Sequence, residues 1–403
     1  MPSSQATDAV VIEALAGTAA EPPPTAPFLP TALRIVCWAL VFRVLSAALA
    51  FLANVTFPLY QEEQFTVLHQ SHKVWDTFAR YDSGWYFLIA RSGYYDHVRL
   101  AFFPLYPLCM GALGRLLGGR QVDFFLAGIL ISWTAFAGAM VLLHRLARLD
   151  LSEADATRVL VYTALFPFAI FYGVVYTESL FLLLTLASIY CFRRRRWELG
   201  GLAGGLACLT RVNGILALPS LAWLAWRSAR SSWTERCRAV GALALVAGGL
   251  GAYCLYSYSL TGSYVGWVYY IHKWNYYPGG APWGVLPKLI RAMVTRPYAY
   301  LVGEATAPYQ LLNGSAALVQ IIALPLVWAR FGACYGLFVL VNLWVPLSSG
   351  WFEGLGRYCS VLFPFFFWLA TFQSSAVRIG IVTLSAMLYM LALALFTTIH
   401  PLF

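Results

Sequence analysis

Charge is scarce in this sequence. Only 11% of the 403 residues are charged, and Lys73, Lys273 and Lys288 are the only lysines. A soluble domain carries about 25% charged and roughly 45–50% apolar residues. Here the hydrophobic share is 60%, which excludes a soluble globular enzyme and a disordered chain. Paired cysteines are missing too. The eight cysteines, among them Cys37, Cys191, Cys208 and Cys334, form no CxxC and sit in apolar runs, where thiols pack as small hydrophobes. A disulfide-stapled miniprotein is thereby excluded. The sequence has no phosphate-binding loop, no dinucleotide motif and no Ser-His-Asp order. His69, His72 and His97 lack carboxylates at metal-ligand spacing, so neither a metal nor a cofactor is expected, and nothing points to nucleic acid.

Long apolar runs are what the sequence does have. They are continuous, unlike the alternating segments of ~10 residues in an outer-membrane barrel, and many approach the ~20 residues that cross a bilayer as a helix. The expected fold class is therefore all-α: a polytopic membrane protein of about eleven transmembrane helices, give or take about two. The first expected span is Thr31–Phe57. Later ones include Phe124–Leu143, Val159–Val175, Ser179–Phe192, Leu199–Thr210, Val212–Trp226 and Tyr358–Thr371. Residues 1–30, rich in Ala, Pro, Ser and Thr, read as a disordered cytoplasmic tail without the pattern of a cleavable signal. Residues 31–403 read as one transmembrane domain.

Apart from those lysines, the 27 basic residues are arginines, and cytoplasmic loops favour them. With the N-terminus inside, the short inner loops collect Arg145, Arg148, Arg158, Arg193–Arg196, Arg227, Arg236, Arg330 and Arg378. Two long stretches, residues 58–123 and 259–304, fall outside. The first holds Ala101–Leu117, read as an interfacial or half-inserted helix. Most acids outside the tail map to the same outer face: Glu62, Glu63, Asp76, Asp82, Asp96, Asp123, Glu178, Glu304 and Glu353.

Five stretches could carry chemistry. Arg80-Tyr81-Asp82-Ser83-Gly84-Trp85-Tyr86 puts a carboxylate beside an arginine among aromatics, which suits a sugar whose hydroxyl proton the carboxylate accepts. It also suits an interfacial aromatic belt with a structural ion pair. Ala101-Phe102-Phe103-Pro104-Leu105-Tyr106-Pro107 implies a non-helical entry followed by a helix start. Tyr176-Thr177-Glu178-Ser179 makes a short turn in which Thr177 could cap the next helix, or place an acid at the membrane surface. Leu209-Thr210-Arg211 sets a lone arginine between two apolar runs, a functional hypothesis by default at membrane depth and an ordinary turn at the interface. Glu353-Gly354-Leu355-Gly356-Arg357-Tyr358 leads from an outer loop into a span, as a functional loop or as a surface turn with an interfacial Arg-Tyr anchor. Asn54-Val55-Thr56 and Asn313-Gly314-Ser315 match the glycosylation pattern but lie in or beside apolar runs.

Taken in order, these stretches resemble the PIG-V family, which contains the second mannosyltransferase of glycosylphosphatidylinositol assembly and its prokaryotic relatives. The matching segments are Arg80–Tyr94, Ala101–Pro107, Tyr176–Leu184, Gly201–Pro219 and Gly356–Pro364. The resemblance implies a GT-C type membrane glycosyltransferase with a long first extracytoplasmic loop. It implies a hexose, usually mannose, moving from a polyprenyl-phosphate carrier to a lipid or glycan acceptor at the outer or lumenal face. It assigns the catalytic carboxylate of the first outer loop to Asp82. As expectations, Asp82 is the general base of an inverting displacement. Arg357 and Arg211 stabilise the departing phosphate, and Arg80 shares that task or orients Asp82. Trp85 and Tyr358 line the donor site, and Glu178 binds acceptor hydroxyls. The partners are the donor, the acceptor and membrane lipids, in a prokaryotic cell membrane or an endoplasmic reticulum membrane. The rival readings are a transporter or flippase of polyprenyl-linked sugars, against which stands the absence of a visible inverted repeat, and a non-catalytic subunit.

Overall fold

The computed structural model describes residues 28–60, 73–229, 232–272, 280–350, 352 and 354–402. Most of the expected tail, the acids Glu62, Glu63 and Glu353, and His69 and His72 lie outside them. Among the described residues every regular element is helical. In chain order these are α1 (Phe28–Thr56), α2 (Lys73–Phe78), α3 (Asp82–Ser92), α4 (Leu105–Leu117), α5 (Gln121–Ala147) and α6 (Glu153–Leu165). Then come α7 (Glu178–Arg193), α8 (Trp197–Thr210), α9 (Leu218–Ser228), α10 (Trp233–Thr261), α11 (Gly266–His272) and α12 (Leu286–Thr295). The last are α13 (Pro297–Gly303), α14 (Ala307–Phe331), α15 (Ala333–Leu347), α16 (Leu355–Ser360), α17 (Pro364–Ala370) and α18 (Ser375–Thr397).

Five of these, α1 from Thr31, α5, α10, α14 and α18, have 23 to 29 residues and are apolar enough to cross a membrane. At 1.5 Å per residue even the shortest exceeds a hydrocarbon core of about 30 Å. The chain is a multi-pass membrane protein. The other expected spans fall on shorter or interrupted helices. Val159–Val175 starts on α6, which stops at Phe166 because the residue before Pro167 is driven out of the helical region, and a 3₁₀ turn, Pro167–Tyr172, follows. Between Leu199 and Trp226, α8 ends at Thr210, Arg211 is extended (φ −153°, ψ 145°), and the chain passes through the 3₁₀ turn Val212–Ala217 into α9. Tyr358–Thr371 is divided between α16 and α17 at Pro364. Such breaks are tolerated at membrane depth only where protein covers the freed backbone groups.

The segment 73–117 carries α2, α3, the 3₁₀ turn His97–Ala101 and α4. Pro104 caps the start of α4, as the prolines of Ala101–Pro107 imply. Helices α8 and α10 meet backbone to backbone. A Cβ on Gly249 would stand 2.1 Å from the Gly205 carbonyl oxygen, and one on Gly201 would stand 2.6 Å from that of Ala242. Small residues four apart are the usual means of bringing membrane helices this close. A continuous apolar core runs from Ala39 on α1 to Leu402 beyond α18.

Candidate functional site

Helix starts and helix breaks deliver the site. Asp82 opens α3, and the residue before it, Tyr81, has φ 50° and ψ −115°, a conformation that costs a non-glycine residue about 1–3 kcal/mol. Neighbours hold it there. The Tyr81 hydroxyl donates to the His400 carbonyl (2.6 Å), the Ser83 hydroxyl donates to the Val175 carbonyl (3.0 Å), and the Asp82 N–H donates to the Tyr176 hydroxyl (3.3 Å). Glu178 opens α7 directly after the turn that follows the Pro167–Tyr172 segment. Arg211 stands in the gap after α8, and Arg357 lies on the single turn of α16.

These four residues form one network. Arg357 donates from Nη1 to Asp82 Oδ2 (2.9 Å) and from Nε to Glu178 Oε1 (2.8 Å). Arg211 Nη1 donates to the same Glu178 Oε1 and to Thr177 Oγ1. Aromatic rings brace both guanidinium groups: Arg357 lies 4.7 Å from the Tyr176 ring, and Arg211 lies 5.1 Å from that of Tyr358, within range of cation–π attraction. Two carboxylates and two guanidinium groups make the cluster formally neutral. Burial alone would raise the Glu178 carboxyl, but Arg357 and Arg211 outweigh it and hold the group below its usual range. Glu178 Oε2 is buried without a hydrogen-bond partner. The Asp82 side chain keeps 28% of its exposure, against 10% for Arg357 and none for Glu178. Asp82 is thus the most exposed carboxylate of the network, and its Oδ1 has no hydrogen-bond partner among the described residues.

The structure brings together Asp82, Glu178, Arg211, Arg357 and Tyr358. It places Arg80 and Trp85 differently. Arg80 is buried and donates from Nη2 to Asn54 Oδ1 (3.3 Å) and the Thr397 carbonyl (3.5 Å), so the described cation on Asp82 comes from 275 residues along the chain rather than from next door. Trp85 stacks on Phe102 at 5.7 Å. Phe102 meets Tyr86 edge-on, and Tyr86 meets Tyr176, so Trp85 joins the site through a run of rings. Glu178, expected to bind acceptor hydroxyls, accepts from two arginines through Oε1. Thr177 makes no side-chain cap on α7; its oxygen serves Arg211.

Sequence reasoning missed one support altogether. Asn313, noted only for a glycosylation pattern, is buried, and its Oδ1 accepts from the Gly356 N–H (2.7 Å) while its amide donates to the Leu402 carbonyl (3.3 Å). No local signal ties it to a loop 43 residues away. Gly356 itself is required, since a Cβ there would lie 2.2 Å from Phe168 Cζ. Gly356→Ala is expected to destabilise the protein by about 1–3 kcal/mol through overpacking and to displace Arg357. Thermal unfolding in detergent checks it, and an unchanged midpoint would contradict the tight contact.

Residues 32–285, more than half of the chain, match the family described as Mannosyltransferase (PIG-V). The chain is 29% identical over 177 residues to "GPI mannosyltransferase 2" of Yarrowia lipolytica, covering 44% of this chain and 48% of that protein. It is 26% identical over 298 residues to "GPI alpha-1,6-mannosyltransferase 2" of Rattus norvegicus, covering 70% and 59%. The chain thus matches about half to three-fifths of the length of these curated relatives. Among solved structures, that of ArnT from Cupriavidus metallidurans bound to undecaprenyl phosphate aligns with a TM-score of 0.48 at 11% identity, covering 91% of this chain and 76% of that one.

Proposed function

We propose a reaction on one premise: this chain belongs to the mannosyltransferase (PIG-V) family. It moves a hexose, mannose in our reading, from a polyprenyl-phosphate carrier to a hydroxyl of a lipid or glycan acceptor. The observation that carries the proposal is the partly exposed Asp82 carboxylate held at 2.9 Å by Arg357 within a buried ionic network. The leaving group is already a phosphate, so no acid need protonate a poor alkoxide, as happens in glycosidases. Asp82 Oδ1 takes the acceptor's hydroxyl proton. The acceptor oxygen attacks the anomeric carbon, the bond from that carbon to the phosphate oxygen breaks, and the carrier leaves as polyprenyl phosphate with inversion at the sugar.

Charge growing on the departing phosphate calls for fixed cations. Arg357 uses Nε and Nη1 within the network, and Arg211 uses Nη1. A guanidinium has five donors, so Arg357 Nη2 and Arg211 Nε and Nη2 are left for phosphate oxygens. Glu178 aligns the two arginines side by side, and its free Oε2 is the remaining acceptor for a sugar hydroxyl. Trp85, Tyr86 and Tyr358 supply ring faces for the sugar. We place the site at the extracytoplasmic end of a cell-membrane protein. In support, it gathers where α1 and α18 end and α7 begins, whereas the run Arg193–Arg196 stands at the other end of α7.

The test uses purified protein in lipid, polyprenyl-phosphate mannose labelled in the sugar, and a membrane-lipid extract as acceptor. Label is expected to pass to a new lipid or glycan. Label that stays on the carrier across several donor sugars and acceptor extracts would replace this reading with that of a transporter.

A further inference from the structure

Helices α12 and α13 belong neither to the ionic network nor to the long spans. α12 has ten residues, about 15 Å, half of what a hydrocarbon core of about 30 Å requires, and α13 is shorter still. Each has a proline in its first turn, Pro287 and Pro297, which suits a helix start. The α12 side chains divide into three stripes, each at i, i+3 and i+7. Leu286, Leu289 and Met293 face the protein. Pro287, Ile290 and Val294 form an exposed apolar stripe, and Lys288, Arg291 and Thr295 an exposed polar one. On α13, Tyr300 is buried and its hydroxyl donates to Gln310 Oε1 on α14 (2.6 Å), while Tyr298 and Val302 stay exposed. Both helices thus sit at the end of α14 that serves the site. There Leu289 fills the notch at Gly314, where a Cβ would stand 2.4 Å from Leu289 Cδ2, and the preceding residue, Asn313, holds the Gly356 N–H.

Charge on this face has one sign. Residues 286–303 hold Lys288, Arg291 and Arg296 and no acid. Arg296 meets Glu304 at 3.5 Å, whereas Lys288 and Arg291 pair with no carboxylate among the described residues. Water alone suits the apolar stripe poorly, since Val294 is 76% and Tyr298 78% exposed. An exposed apolar stripe beside a cationic one, on a helix too short to span, is the pattern of a helix lying in the plane of a lipid surface. Because α12 packs against the start of α14, a span, the bilayer surface is within its reach. We propose that α12 and α13 lie on the bilayer at the site end of the molecule and bind anionic phospholipid headgroups through Lys288 and Arg291. The apolar stripe rests at the acyl boundary, and the two long basic side chains reach up to phosphate oxygens. Lipid bound there presses Leu289 against Gly314 and thereby steadies the Asn313 contact to Gly356, next to Arg357. The inference holds whichever reaction the site performs.

The experiment measures amide hydrogen exchange of residues 286–303 in the full chain, held in nanodiscs of phosphatidylcholine alone or of an equal mixture with phosphatidylglycerol. Exchange is expected to be slower in the mixture by roughly 25-fold, about fivefold for each of the two cations near an anionic surface. High salt should shrink the difference. Combining Lys288→Gln with Arg291→Gln should abolish it while leaving exchange in α5 unchanged; both residues are exposed, so the variant is expected to fold. Val294→Glu, which puts a charge in the apolar stripe, should speed exchange of α12 in both kinds of disc. Equal exchange in the two lipids would overturn the proposal, as would a lipid difference that survives in the double variant or a Val294→Glu chain that exchanges like wild type. Exchange in lipid-free detergent that slows as protein concentration rises would give this face to a second copy of the chain and overturn it as well.

Discussion

Asp82→Asn is expected to lower sugar transfer by at least 10²–10⁴-fold, the usual contribution of a positioned general base, while leaving the protein folded. The substitution keeps the shape of the side chain and removes only its charge. Arg357 loses one carboxylate but stays bonded through Nε to Glu178 at 2.8 Å. Because Asp82 is the most exposed of the four charged groups, water can replace part of what Arg357 loses, and the cost should be near 1 kcal/mol, a shift of a few degrees at most. Donor binding should be retained or tightened, since Arg357 Nη1 becomes free for a phosphate oxygen. The measurements are label transfer under single-turnover conditions, donor affinity and thermal midpoint, all on the same preparation. Near-normal turnover in Asp82→Asn would remove Asp82 from the base role. Loss of donor binding together with turnover would instead make the residue part of the donor pocket.

Some of this arrangement can be read from the chain by eye. Composition and run length dictate helices in a membrane, because 60% apolar residues with 11% charged ones leave no other way to satisfy the backbone. Asp82, Glu178, Arg211 and Arg357 stand out for a related reason: charge is rare here and costly to bury, so each charge within an apolar context has a use. What the chain hides is pairing across distance. Arg80 is the obvious partner of Asp82 by position, yet Arg357 holds it, because the Tyr81 backbone conformation and the Asn54 and Thr397 contacts fix the two neighbours separately. The break at Pro167 is hidden as well, since the apolar pattern continues through it, whereas Arg211 already divides two expected spans and does end a helix. Arg43 reads as one basic residue in the first span. Only the fold shows that it is enclosed, with its Nη1 on the Ala169 carbonyl.

Glu178→Gln is expected to cause the largest loss of stability of any single change in the site. Glu178 is fully buried and binds two guanidinium groups through one oxygen. Replacing it with a neutral amide leaves Arg211 and Arg357, exposed by only 13% and 10%, to share the single charge of Asp82. Removing one partner of a buried ionic group costs about 3–5 kcal/mol, well beyond the expected effect of Asp82→Asn. Transfer should fall as well, because the two cations repel each other once the carboxylate between them is neutral. A second substitution separates charge balance from lost packing. Glu178→Gln combined with Arg211→Met removes one charge of each sign and leaves Asp82 paired with Arg357. The double variant should be more stable than Glu178→Gln alone, with a coupling of about 0.5–3 kcal/mol, yet stay inactive, because one of the two arginines proposed to hold the donor phosphate is gone. Thermal unfolding of wild type, both single variants and the double variant closes that cycle. Additive losses would show that Glu178 does not act through Arg211. Recovery of transfer in the double variant would show that Arg211 is not needed for the donor.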